Sequence, residues 1–141
     1  MPGGIQLQRA FLRAPKFAVV GASKNQTKYG TKVLQWYLAR SKPVTPVHPR
    51  EVELEGLRTV PTLAELPEPA RTSVHVITPP KVTLDILSQA KVLHVPTIWL
   101  QPGVADEEVA KFIQENGMED RVIYGGPCIL RDGDGVLKTM A

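Results

Sequence analysis

Two rhythms of apolar and polar residues alternate along this chain. Short apolar runs at 17–20 (FAVV), 44–47 (VTPV), 73–77 (SVHVI), 96–100 (PTIWL) and 121–124 (RVIY) read as buried strands. Pro46 lies inside the second run, which predicts a short strand or one that ends there. Between the runs the apolar positions recur at helical spacing. Tyr29, Val33, Trp36 and Tyr37 predict a helix from Lys28 to about Arg40, closed by Pro43. Pro79 and Pro80 open a second helix carrying Val82, Ile86, Ala90 and Leu93, because proline loses nothing in a first helical turn. Asp106, Glu107 and Glu108 open a third, with Val109, Phe112 and Ile113 inward and Gly117 as its C-terminal stop. Thr62 to Glu65 fits a capping box and so a helical turn within the proline-rich stretch 50–71. After the fifth strand, GGPCIL and RDGDG read as a turn-rich tail.

Strands alternating with helices predict a parallel sheet with right-handed crossovers. The expected fold is α/β: a doubly wound, mostly parallel, five-stranded Rossmann-like sheet with helices on both faces, in three αβα layers. At 141 residues the chain suits one domain, expected over 17–141. Residues 1–16 are expected as a leader that packs through Ile5, Leu7, Phe11 and Leu12 or stays partly disordered.

Composition adds exclusions. With 43% hydrophobic and 22% charged residues the chain is an ordinary globular one. The net charge of +3 is scattered, without the Lys/Arg run of a nucleic-acid arm, and suits a small anionic ligand. No apolar run is long enough to cross a bilayer. A lone cysteine, Cys128, can form no internal disulfide. The expected compartment is cytoplasmic. Arg9, Arg13 and Lys16, with no acid among them, keep a mitochondrial presequence remnant open as a second reading.

Ligands of such sheets bind beyond the carboxyl ends of the strands, which selects GASKNQTKYG, HPR, TPP and QPG as candidate site segments. In the first, Gly21 permits a sharp turn, and Ala22 and Ser23 are small enough for close approach to the main chain. The following helix start offers unpaired N–H groups and the positive end of its dipole. Lys24 and Lys28 can add charge, and Gly30 lets the helix pack closely. This is a phosphate-binding layout. The second strand ends in His48-Pro49-Arg50, without the acid that takes the ribose hydroxyls in the dinucleotide fingerprint, and that fingerprint's second glycine is replaced by Ser23. An imidazole and a guanidinium suit a phosphorylated ribose, which NADP and coenzyme A both carry.

The segments FAVVGAS (17–23), KYG (28–30), PVHP (46–49), ITPP (77–80) and IWLQPG (98–103) occur in the order of a known family. The chain resembles the small stand-alone CoA-binding proteins, similar to the N-terminal domain of the succinyl-CoA synthetase α subunit. The resemblance implies coenzyme A or an acyl-CoA as the ligand. It places the pyrophosphate on Gly21, Ala22, Ser23, Lys28, Tyr29 and Gly30. It places the adenosine end against His48, Pro49, Arg50, Thr78, Pro79 and Pro80, and the pantetheine arm toward Gln101, Pro102 and Gly103. The family usually has Asn where this chain has His48. The larger synthetases add a phosphohistidine domain and an ATP-grasp partner, for which this chain has no room, so ligase activity is not implied.

The reading is therefore a binding module serving as carrier, sensor or accessory subunit, alone, as a homodimer or with a partner enzyme. An NADP-binding oxidoreductase-like domain and a ligand-free interaction module remain as alternatives. No local motif assembles a nucleophile, a base and an orienting acid. His48, His75 and His94 lack metal-ligand spacing. His75 alternates within a strand and is packed or edge-exposed. Cys128 has two readings, a small buried hydrophobe or a thiol near the end of the ligand arm.

Overall fold

The computed structural model describes residues 4–141. Five parallel strands, β1 (Lys16–Val20), β2 (Val44–Val47), β5 (Thr72–Val76), β6 (Ile98–Leu100) and β7 (Val122–Ile123), form one sheet in the order β2-β1-β5-β6-β7. The chain winds outward from β1 in one direction and from β5 in the other. The switch point is therefore between those two strands. Strand alternation sends Ala18, Val20, Val74, Val76, Ile98 and Leu100 to one face, against α3 (Pro80–Val92) and α4 (Glu107–Glu115). Phe17, Val19, Trp99 and Ile123 point to the other face, against α1 (Ile5–Leu12), α2 (Tyr29–Ala39) and α5 (Ile129–Met140). This is the expected three-layer architecture.

Four features depart from the pattern-based reading or add to it. The leader forms α1, which seals Phe11 and Leu12 beneath α5 and β7. A hairpin, β3 (Glu53–Leu54) with β4 (Leu57–Arg58), turns at Glu55 and Gly56, both with positive φ as a two-residue turn demands. Thr62 makes no capping hydrogen bond. The turn it precedes is a 3-10 turn, Leu63–Glu65, with Leu63 fully buried. The largest correction is the tail. RDGDG is not a turn but the middle of α5. A Cβ on Gly133 would meet the Trp36 ring at 2.5 Å, so the glycine is there to let two helices approach. Arg40 clamps Asp134 through both carboxylate oxygens, at 2.6 and 2.7 Å. Tertiary packing thus overrides a helix propensity that two glycines weaken by about 1 kcal/mol each.

Candidate functional site at the carboxyl edge of the sheet

A cleft of about 460 Å³ opens at the switch point, above the ends of β1, β2 and β5. Its size is within the range of about 300–1,000 Å³ usual for small-ligand sites. Of the candidate residues, Gly21, Ala22, Ser23, His48, Pro49, Thr78 and Pro79 line it. Lys24, Lys28, Tyr29, Gly30, Arg50 and Pro80 belong to the same three loops but lie outside its lining, and so do Gln101, Pro102 and Gly103 after β6. A wider concavity, about 770 Å³, lies at the opposite end between α1 and the turn before β7, and none of the candidate residues lines it.

The loop after β1 is held at backbone distance. Gly21 has φ +117°, and a Cβ there would be 1.9 Å from the Ile77 carbonyl oxygen. A Cβ on Gly30 would be 2.1 Å from the Gly21 carbonyl oxygen, so α2 rests directly on the loop it follows. Buried Thr31 fixes that contact: its hydroxyl donates to the Ser23 carbonyl at 2.9 Å and accepts the Ser23 N–H at 3.2 Å. The Ser23 Oγ accepts the Asn25 N–H and keeps its own proton to donate. Among the described residues no acceptor faces the N–H groups of Tyr29, Gly30 and Thr31, the open end of α2. Lys24 pairs with Glu51 of the next loop at 2.9 Å, chiefly through a hydrogen bond that raises the lysine pKa and lowers that of the carboxyl. Lys28 and Arg50 have no ion-pair partner among the described residues.

The other two walls are braced from within. His48 Nδ1 accepts the N–H groups of Arg50 at 3.0 Å and Glu51 at 2.9 Å. The bond to residue i+2 is the one an Asn side-chain oxygen makes in an Asx turn, so imidazole replaces amide without loss of the turn. In the neutral ring the proton is then on Nε2. The hydroxyl of Thr83, fully buried, lies 2.9 Å from the Thr78 hydroxyl and within 3.3 Å of the carbonyls of Thr78 and Pro79, between which it can share its one proton, and so pins the turn after β5. The pattern-based reading missed Thr31 and Thr83, and with them the outer wall: Pro61, Thr62, Val82, Asp85, Ile86 and Gln89. A threonine in the first turn of each helix was the available signal for the braces. Val82, placed with the core positions of its helix, is 43% exposed and faces the cleft instead.

Beyond β6 the edge is closed by a buried polar chain. The Ile129 N–H donates to Gln101 Oε1 at 3.1 Å, so that atom is an acceptor. His75 Nε2, 2.9 Å from the same oxygen, must therefore carry the ring proton. Its Nδ1 is left to accept from the Tyr37 hydroxyl at 2.8 Å, and the Gln101 amide donates to Cys128 Sγ at 3.2 Å. His75 is fully buried in the sheet, stacked on Trp99 and edge-on to Phe11 and Tyr37. Burial pushes its pKa down to about 3, partly opposed by the bond to Gln101. Of the three candidates after β6, Pro102 and Gly103 are exposed, and the Gln101 side chain is committed to the interior. Half-buried Cys128 caps α5, where its N–H donates to Asp132.

Among the described residues no three His, Cys, Asp or Glu side chains are grouped to hold a metal, and no helix is long and apolar enough to cross a membrane. The fold and the cleft define a small Rossmann-like domain with its crevice at the switch point. The chain belongs to the CoA binding domain family, whose model matches residues 15–134. It is similar to a conserved hypothetical protein from Pyrococcus furiosus (36% identity over 82% of this chain and 96% of that one, TM-score 0.73). It is also similar to a protein from Thermus thermophilus (29%, 94% and 98%, TM-score 0.78). A third likeness is to the dinucleotide-forming acetyl-coenzyme A synthetase 1 of Candidatus Korarchaeum cryptofilum (25% identity, TM-score 0.70), where 84% of this chain matches 27% of that one. Family membership supports a CoA-binding role in general terms.

Proposed function

We propose that this protein binds coenzyme A or an acyl-CoA at the carboxyl edge of β1, β2 and β5, as a carrier, sensor or accessory subunit without chemistry of its own. The diphosphate rests on Gly21, Ala22, Ser23 and the open end of α2, with Lys28 supplying charge and Tyr29 and Gly30 the first N–H groups. The adenosine end enters the cleft between His48-Pro49 and Thr78-Pro79-Pro80. Arg50 meets the 3′-phosphate. The pantetheine arm leaves toward Gln101, Pro102 and Gly103. One observation carries the reading: an apolar cleft and three unpaired helix N–H groups adjoin at the switch point of a CoA-binding-family fold. Lys24 is tied to Glu51 and contributes by closing the loops together.

Thermal unfolding against coenzyme A, 3′-dephospho-CoA, acetyl-CoA and NADP tests it. Coenzyme A at about 100 times its Kd adds about 2.7 kcal/mol, and the dephosphorylated form less. A shift with NADP and none with coenzyme A transfers the site to the oxidoreductase-like alternative. No shift with any of the four leaves an interaction module.

A further inference from the structure

Among the described residues one carboxylate lines the cleft, Asp85, on the outer wall formed by α3. Among the described residues no cation pairs with it. Among the described residues its carboxylate has one hydrogen-bond partner, Gln89, one turn on, whose amide donates to Asp85 Oδ2 at 2.9 Å. That bond orients the carboxylate and leaves two acceptor oxygens, Asp85 Oδ1 and Gln89 Oε1, with no donor facing them among the described residues. A negative wall is unfavourable beside any phosphate of a polyanion. The charge is tolerable only where the ligand presents something uncharged that donates. The packing separates the two requirements: α2, whose open end suits phosphate, and α3 cover opposite faces of the sheet. Between them the walls are apolar, with Val82, Ile86, Pro61 and Pro79 suited to the faces of a flat ring.

From this geometry we infer that Asp85, oriented by Gln89, selects the base of the ligand by accepting a hydrogen bond from the exocyclic amine of adenine. The inference rests on the CoA reading of the same cleft and adds a specificity-determining residue to it. A base with a carbonyl at that position, hypoxanthine, would turn an acceptor toward the carboxylate. The pair would then lose a charge-assisted hydrogen bond and gain a repulsion.

The experiment is isothermal titration of the full chain with coenzyme A and with its deaminated, hypoxanthine-containing analogue, for the wild type and for Asp85→Asn. Asp85 is exposed at the rim, and the melting temperature of the variant checks that it folds as the wild type does. The wild type should prefer the adenine form tenfold or more. In Asp85→Asn, whose amide can face either base, the ratio should collapse to within about twofold. A purely structural role for Asp85 would weaken both ligands alike and keep the ratio. An unchanged ratio in the variant, or no preference in the wild type, overturns the inference and leaves the CoA reading standing. Absence of coenzyme A binding to the wild type overturns both.

Discussion

The two ends of one sheet edge are finished in opposite ways. Above β1, β2 and β5 the loops are held by backbone contacts and threonine braces, and the space between them stays open. At the end of β6 the edge is closed by Gln101 and Cys128, which continue a chain through His75 of β5 to Tyr37 of α2 in the core, each side chain bonded to the next. The strands are parallel at both ends, so strand direction does not explain the difference, and burial follows it: Ser23, His48 and Thr78 are half-buried, whereas Tyr37, His75 and Gln101 are buried. What differs is where hydrogen-bond capacity is spent. At the closed end it is satisfied internally, and at the open end helix N–H groups are left over. Leftover capacity in a concave place is what a ligand can use, and satisfied capacity is what stability uses.

That contrast can be broken in stages. The largest effect belongs to Gly21→Val, which places a branched side chain against the Ile77 carbonyl at a left-handed φ. Denaturant unfolding should show a loss of roughly 3–4 kcal/mol, with coenzyme A binding lost as well. Next comes His75→Leu, which orphans the Tyr37 hydroxyl and one lone pair of Gln101. We expect a loss of about 2–3 kcal/mol and, if the closed end is truly separate, an unchanged CoA affinity.

The same residue sets a pH dependence. Folded His75 stays neutral down to about pH 3, whereas the unfolded chain takes up its proton near 6.5. Its contribution is complete above pH 6.5 and is lost as pH falls toward 3, at up to about 1.4 kcal/mol per pH unit. His75→Gln should flatten that slope in urea titrations between pH 6.5 and 4, and a slope equal to wild type would contradict the buried neutral ring.

Smaller effects lie at the open end. His48→Ala removes the acceptor of two N–H groups and should cost about 1 kcal/mol, while His48→Asn should cost little, since an amide oxygen restores the i+2 bond. The smallest change in stability is Lys28→Ala, expected to leave the melting temperature alone and to weaken coenzyme A roughly fivefold at low salt. A drop in stability without a drop in affinity would mean that Lys28 serves the helix and not the ligand.

The sheet and three of its helices were legible because their apolar residues obey the periods of two and 3.6. The FAVV run becomes β1 with Phe17 and Val19 on one face and Ala18 and Val20 on the other. The tail was illegible because its helix depends on what lies opposite: Gly133 is small for the sake of Trp36, a hundred residues earlier in the chain. At the site, loops could be chosen from strand ends and small residues, which brought out Gly21 to Ser23, His48-Pro49 and Thr78-Pro79. The α3 wall could not be found so. Val82, Asp85 and Gln89 lie on a helix whose rotation about its axis decides whether they face solvent or cleft. Gln101 shows the converse limit: its place in the QPG turn suggested an exposed contact, but its long amide reaches inward to His75 and Cys128.

The fixed sense of the buried chain gives the molecule an internal reporter. With its proton held on Nε2 by a main-chain donor two bonds away, the imidazole of His75 should give nitrogen-15 resonances of a single tautomer. It would thereby register, from the middle of the sheet, whether β5, β6 and the start of α5 still meet. A ligand that shifts those resonances would be felt at a distance through the core, and one that leaves them untouched would show that the cleft fills without disturbing its neighbour.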